Sequence, residues 1–175
     1  MAREKPNIYL CGFMGTGKTS VGKRLAETLG YEFVDMDARI EAEAGTAISK
    51  IFAERGESAF REMESRMVER IARRSGCVVA TGGGAIVDPK NLEAMKESGT
   101  VVTLTADIPT ILRRCGDDAT RPLLQTGDRR GRVQSLLEQR SPFYARADII
   151  LDTSSLSVEE VVEALAARLR PARHG

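Results

Sequence analysis

The stretch Gly12-Phe13-Met14-Gly15-Thr16-Gly17-Lys18-Thr19 constrains this chain more than any other. It matches G-x-x-x-x-G-K-[ST], with a strand-like apolar run before it at Ile8–Cys11 and a helical pattern after it at Lys18–Leu29. Glycines in such a turn let successive backbone N–H groups point at phosphate oxygens. The helix that follows adds the positive end of its dipole. The loop therefore predicts a bound nucleoside triphosphate. Lys18 is expected on the β- and γ-phosphates, and the Thr19 hydroxyl on Mg²⁺.

The rest of the chain repeats this strand–helix alternation. Short apolar runs at Glu32–Asp35, Val78–Ala80, Val101–Leu104 and Ile149–Leu151 read as further strands. Helical patterns fall at Asp37–Ala44, Ile48–Arg55, Ser58–Arg74, Pro89–Glu97, Pro109–Cys115, Leu136–Tyr144 and Val158–Leu169. Gly30 reads as a helix stop, Pro89 and Pro109 as first-turn prolines, and Ser157 with Glu160 as a capping box. Alternation of this kind predicts a parallel sheet covered on both faces, with ligands beyond the carboxyl ends of the strands. A length of 175 residues, 42% of them hydrophobic, suits one domain over 1–175. The segment 116–131 is polar and weakly periodic, which predicts a lid over about 116–128.

Several classes of chemistry are excluded. The only histidine, His174, lies in the tail, so neither a Ser-His pair nor a multi-His metal site is available. The three cysteines, Cys11, Cys77 and Cys115, lack paired ligand spacing, and Cys11 and Cys77 sit beside apolar runs as small hydrophobes do. There is no Asn-Lys-x-Asp run for guanine and no Leu-Ser-Gly-Gly-Gln signature of a transporter ATPase. Phosphoryl transfer to a small acceptor fits a short chain with a lid better than a motor does.

Three constellations bear on that acceptor. Asp35-Met36-Asp37 closes the second strand, and alternation places both carboxylates on one side. One can support the Mg²⁺ shell through water while the other orients a substrate hydroxyl; a helix N-cap role serves either equally well. Arg61 and Glu64, three apart on one helix face, are taken alone most simply a surface ion pair. Their other reading is a guanidinium fork held ready for a carboxylate. Thr81-Gly82-Gly83-Gly84 follows a strand directly, where backbone without side chains can approach a ligand.

Together these motifs resemble the shikimate kinases. Gly-x-Met-Gly-x-Gly-Lys-Thr, Asp-x-Asp, Gly-Glu-x-x-Phe-Arg-x-x-Glu and Gly-Gly-Gly occur in order with Arg121-Pro122-Leu123-Leu124 and Arg140-x-x-x-Tyr144, from about Ile8 to Asp152. The resemblance implies a P-loop, nucleoside-monophosphate-kinase-like α/β fold with a five-stranded parallel sheet, substrate-binding helices over about 36–62, and the lid. It implies transfer of the ATP γ-phosphate to the 3-hydroxyl of shikimate in aromatic amino-acid biosynthesis. Gly15, Thr16, Gly17, Lys18, Thr19, Ser20 and Arg121 would bind ATP, with Thr19 on the metal. Asp37, Arg61, Gly83 and Arg140 would bind shikimate, and Lys18, Asp37 and Arg121 would carry catalysis. By the same resemblance Asp35 acts near Mg²⁺, Glu64 orients Arg61, and Arg114 faces the adenine. The loop after the last strand, Asp152–Ser157, lacks the basic residue often found there, so no base-contacting residue is named in it.

Without the resemblance, Arg61 with Arg140 indicates an anionic acceptor but leaves gluconate or a nucleoside monophosphate open. A regulatory nucleotide module would need a damaged site, and Lys18, Thr19, Asp37 and Arg121 are intact. A net charge of +1 gives no reason for a nucleic-acid partner. No apolar run approaches a membrane span and the N-terminus lacks signal-peptide features, so the cytoplasm is expected; no exposed stripe supports a dimer, so a monomer is the default.

Overall fold

A computed structural model describes residues 5–116 and 127–170. Five parallel strands form one sheet: β1 (Asn7–Cys11), β2 (Glu32–Asp35), β3 (Cys77–Ala80), β4 (Gly99–Thr105) and β5 (Ile149–Asp152). Their order is β2-β3-β1-β4-β5. The helices are α1 (Lys18–Leu29), α2 (Met36–Ala44), α3 (Ile48–Ala72), α4 (Pro89–Ser98), α5 (Ile108–Cys115), α6 (Arg129–Tyr144) and α7 (Val158–Leu169). A short 3₁₀ turn at Ala85–Val87 precedes α4.

The central strand shows why its sequence is mostly apolar, with the one buried polar side chain, Asn7, hydrogen-bonded to Tyr9, Ile71 and Arg74. All five residues of β1 are buried. Ile8 and Leu10 pack with Val21, Leu25, Val161 and Leu165 of α1 and α7. Tyr9 and Cys11 point the other way, into a cluster with Val68, Ile71, Met95 and Ile111 of α3, α4 and α5. A strand with helices on both faces has no polar side, and period-two alternation divides its side chains between two cores.

Helix starts follow local chemistry. The side chains of Asp35, Asp88, Asp107, Asp128 and Ser157 accept N–H bonds at the first turns of α2, α4, α5, α6 and α7. The Ser157 oxygen takes the Glu160 N–H, as the sequence pattern predicts. The two helical segments expected around Gly56 run end to end as α3, broken at Gly56 by a non-helical φ of 83° and ψ of 167°. One expectation was too short: α6 begins at Arg129, seven residues before Leu136. Its first two turns are mostly polar, so apolar periodicity could not reveal them. Asp128 and the buried Val133 are what start and anchor them.

Register brings all five carboxyl ends to one edge. Leu10 lies opposite Ala80, Asp35 opposite Ala80 from the other side, Cys11 opposite Thr103, and Thr105 opposite Asp152. The P-loop, the Asp-x-Asp pair, the glycine run and the loop after β5 therefore emerge together, where parallel sheets place their ligands.

Candidate active site

The P-loop leaves β1 through backbone that only glycine adopts readily. Gly12, Gly15 and Gly17 have φ of 138°, 77° and 100°. Gly17 is the N-cap of α1, and no side chain caps this helix. Its first N–H groups are thus left to an anion. Thr16 is buried, with its hydroxyl turned inward onto the Phe13 carbonyl at 2.8 Å. Its side chain therefore braces the loop. Lys18 Nζ donates to the Gly12 carbonyl at 2.5 Å and approaches that of Phe13 at 3.4 Å. Thr19 and Ser20 are exposed on the first turn of α1. All of Gly15–Ser20 line a cleft of about 720 Å³.

The same cleft is lined by Asp37, Arg61, Glu64, Gly82, Gly83, Gly84 and Arg140, so the predicted acceptor residues do come together opposite the P-loop. The three glycines explain how they fit. A Cβ on Gly82 would strike Glu64 Oε2 and lie 3.2 Å from Asp37 Oδ1. On Gly83 it would lie 3.1 Å from Arg140 Nη1. On Gly84 it would lie 2.5–2.7 Å from the Arg61 guanidinium. Each glycine therefore makes room for a different charged group, and close approach rather than turn geometry requires them.

The charges are not in ordinary surroundings. Glu64 is 1% exposed and accepts from Arg61 at 2.9 Å, so this pair is not the surface contact its spacing suggests. Glu57 holds the other side of Arg61 at 3.2 Å. Glu64 Oε2 and Asp37 Oδ1 are both buried without a hydrogen-bond partner, and both converge on Gly82. Burial raises the pKa of Asp37, against the pull of Lys18, and that of Glu64, against the pull of Arg61. Arg140 is 8% exposed, lies over the Phe13 ring and makes no ion pair among the described residues. Tyr144, one turn on, donates to the Gly83 carbonyl at 2.6 Å and so fixes the glycine run against α6. The Glu64 carboxylate acts on Arg140 only from a distance, and Tyr144 is its hydrogen-bond neighbour, so this buried guanidinium keeps capacity for an anionic ligand.

Asp35 caps α2 through its Oδ1, accepting from Ala38 N at 3.1 Å, and lines the cleft as well. Among the described residues no group of three His, Cys, Asp or Glu could hold a metal ion. Arg121 and the rest of the Arg-Pro-Leu-Leu run lie outside the described residues.

At the far end, Arg114, Thr153, Leu156 and Val158 line the cleft. Its guanidinium bonds the Gly15 carbonyl at 3.2 Å and the Thr153 carbonyl at 2.8 Å. Sequence reasoning missed Thr153, Leu156 and Val158; two apolar residues at the junction of the polar loop with α7 were the one signal for the last two.

Comparison with known proteins points to one family. The shikimate kinase family profile matches residues 14–170. The shikimate kinase of Persephonella marina is 47% identical over 164 residues, covering 94% of this chain and 99% of the relative. A crystal structure of the Acinetobacter baumannii shikimate kinase in complex with shikimate superposes with a TM-score of 0.91 at 38% identity, covering 94% of this chain and 93% of that one. A gluconokinase from Sinorhizobium meliloti shares the fold at a TM-score of 0.63 and 22% identity, covering 96% and 93%.

Proposed function

This chain belongs to the shikimate kinase family, and we propose how its own residues carry out that family's ATP-dependent phosphorylation of shikimate. The observation that carries the reading is the convergence of Arg140, Arg61 and Asp37 on the glycine run, across the cleft from the P-loop.

ATP binds with its phosphates on the backbone N–H groups of Gly15, Thr16 and Gly17 and on the hydroxyls of Thr19 and Ser20. Lys18 exchanges its loop carbonyls for the β- and γ-phosphates. The Thr19 hydroxyl would hold the Mg²⁺ that comes with the nucleotide, which would supply neutralisation of phosphate charge. The base lies toward Arg114, Leu156 and Val158, which offer one cationic and one apolar wall. Shikimate places its carboxylate on Arg140 and on Arg61, the latter oriented by Glu64 and Glu57. Its hydroxyls meet Asp37 and the Gly83 backbone.

The 3-hydroxyl oxygen then bonds to the γ-phosphorus as the bond to the β–γ bridging oxygen breaks. Asp37 takes the hydroxyl proton. Burial makes it a stronger base than a free carboxylate, which suits that step. ADP leaves with its charge held by Lys18 and by Arg121 of the lid, the latter by resemblance alone. The chain is read as one kinase domain acting as a cytoplasmic monomer, without nucleic-acid or membrane partners. Cys11, Cys77 and Cys115 are all buried and hold their sulfur as thiol, which fits a reducing compartment. No helix among the described residues is long and apolar enough to cross a membrane.

The test is an ADP-release assay with ATP, Mg²⁺ and a panel of shikimate, gluconate and nucleoside monophosphates. Turnover with shikimate and little with the others is expected. Preference for gluconate or a nucleoside monophosphate would overturn the acceptor assignment.

A further inference from the structure

The loop after β5 contributes one buried hydroxyl to the nucleotide side of the cleft. Thr153 is 2% exposed although Asp152 and Ser155 beside it face solvent. Its Oγ1 lies 2.9 Å from the Thr16 carbonyl, 3.0 Å from the Thr105 carbonyl and 3.1 Å from Arg114 Nη1. The Thr105 carbonyl already receives the Thr153 N–H at 2.8 Å. The single hydroxyl proton is therefore best used on Thr16, while an oxygen lone pair accepts from Arg114. Arg114 adds two direct ties, to the Gly15 carbonyl at 3.2 Å and to the Thr153 carbonyl at 2.8 Å.

Three separate segments thus meet at one side chain: the Gly15–Thr16 turn of the P-loop, the end of α5 and the loop after β5. Gly15 and Gly17 sit in left-handed backbone, where small rotations of the peptide swing the N–H groups that face phosphate. The inward turn of the Thr16 hydroxyl braces this turn from within, and Thr153 braces its carbonyl from the far side.

We propose that Thr153 is a positioning residue for the nucleotide: its hydroxyl sets the Gly15–Thr16 turn and fixes Arg114 at the base end of the cleft. The inference rests on the reading of this cleft as an ATP site. It concerns only one half of that cleft, since no hydrogen bond of Thr153 reaches Asp37, Arg61, the glycine run or Arg140. Sequence alone hides the role, because a threonine between Asp152 and Ser154 looks like any polar loop residue.

The experiment is steady-state kinetics of Thr153→Val, Thr153→Ser and Arg114→Met, varying ATP and shikimate in turn, with ADP affinity by calorimetry. Thr153→Val keeps the shape and removes the hydroxyl. It is expected to raise the ATP KM and the ADP Kd about tenfold while the shikimate KM stays within about twofold. Thr153→Ser is expected to restore ATP binding to within about threefold of wild type, since it keeps the hydroxyl. Arg114→Met tests the tie from the solvent side, and so stands even if Thr153→Val does not fold. It too is expected to raise the ATP KM, and in the double variant the two losses are expected to fall short of their product. A normal ATP KM in Thr153→Val, or in Arg114→Met, would overturn the proposal. So would ATP and shikimate KM rising together, a serine variant no better than valine, or fully multiplicative losses. Wild-type turnover of shikimate, measured alongside, separates failure of this inference from failure of the functional reading.

Discussion

Replacing Gly84 by alanine isolates the placement of Arg61 without removing its charge. Gly84 has φ −104° and ψ 0°, which an L residue can adopt, so the backbone does not resist the change. The added Cβ would stand 2.5 Å from Arg61 Nη1 and 2.7 Å from both Cζ and Nη2. Ordinary contact needs about 3.5 Å, so the guanidinium must retreat by about 1 Å. It has room to do so. A second cavity of about 600 Å³ lies on the outer side of Arg61, bounded by Glu57, Ser65, Asn91 and Gln139. Folding stability should therefore fall by no more than about 1 kcal/mol, partly offset by the lower unfolded-state entropy of alanine. Substrate binding should suffer more. A charge-assisted hydrogen bond to a carboxylate is worth roughly 1.5–3 kcal/mol, and a displacement of this size forfeits most of it. The shikimate KM should rise about 10- to 100-fold, with the ATP KM within about twofold, at 1.4 kcal/mol per tenfold. Coupled ADP-release kinetics with either substrate varied, and a melting curve on the same sample, read both quantities. A folded variant with a normal shikimate KM would refute the reasoning, as would an equal rise in the ATP KM.

Lys18→Ala should abolish product formation by purified protein while shikimate affinity, read by calorimetry, stays near wild type. Asp37→Asn should remove turnover and yet raise the melting temperature near neutral pH. Burial lifts the Asp37 pKa in the folded state, so in the window between the unfolded and folded values the native form binds more protons than the unfolded form; stability falls as pH rises from the ordinary carboxylate value through that window. The gain in Asp37→Asn should therefore vanish in acid, where both states are protonated, and an equal gain at pH 3 would contradict it. All three thiols are buried and burial pushes Cys11 up to about 11, so a thiol reagent at pH 8 should label the protein only after denaturant is added. Labelling of the native protein at the rate of a free thiol would count against that packing.

The P-loop was legible because its chemistry is local: eight consecutive residues carry the turn, the cation and the hydroxyl, and the flanking strand and helix confirm them. Sheet class was legible for a similar reason, since β1 and β3 are buried on both faces and so read as short, mostly apolar runs. The Arg61–Glu64 pair shows where this stops. Its i,i+3 spacing states that the two can touch, but not that Glu64 is 1% exposed. Part of that burial comes from Gly82, eighteen residues beyond Glu64, whose backbone lies close against the carboxylate. The start of α6 was missed for the opposite reason. Its face toward the core is narrow, with Val133 and Leu136 buried and mostly polar residues between the helix start and Leu136.

The glycine run then carries an argument that neither sequence nor fold supplies alone. Three adjacent glycines look interchangeable, yet each abuts a group with a different capacity to move. Gly84 meets the flexible end of Arg61, which can retreat, so its substitution should appear as lost substrate affinity in a stable protein. Gly82 meets Glu64 Oε2, an oxygen that is buried and has no hydrogen-bond partner, beside Asp37 Oδ1 in the same condition. Glu64 is enclosed and tied to Arg61, so a methyl group there has nowhere to send it. Gly82→Ala should therefore cost stability as well as activity, about 1–3 kcal/mol on the scale of overpacked interiors. A urea titration of the two variants distinguishes these cases. Equal midpoints for Gly82→Ala and Gly84→Ala would show that the carboxylate pair is not held against the glycine backbone, and with it the account of why this run contains no side chains would fall.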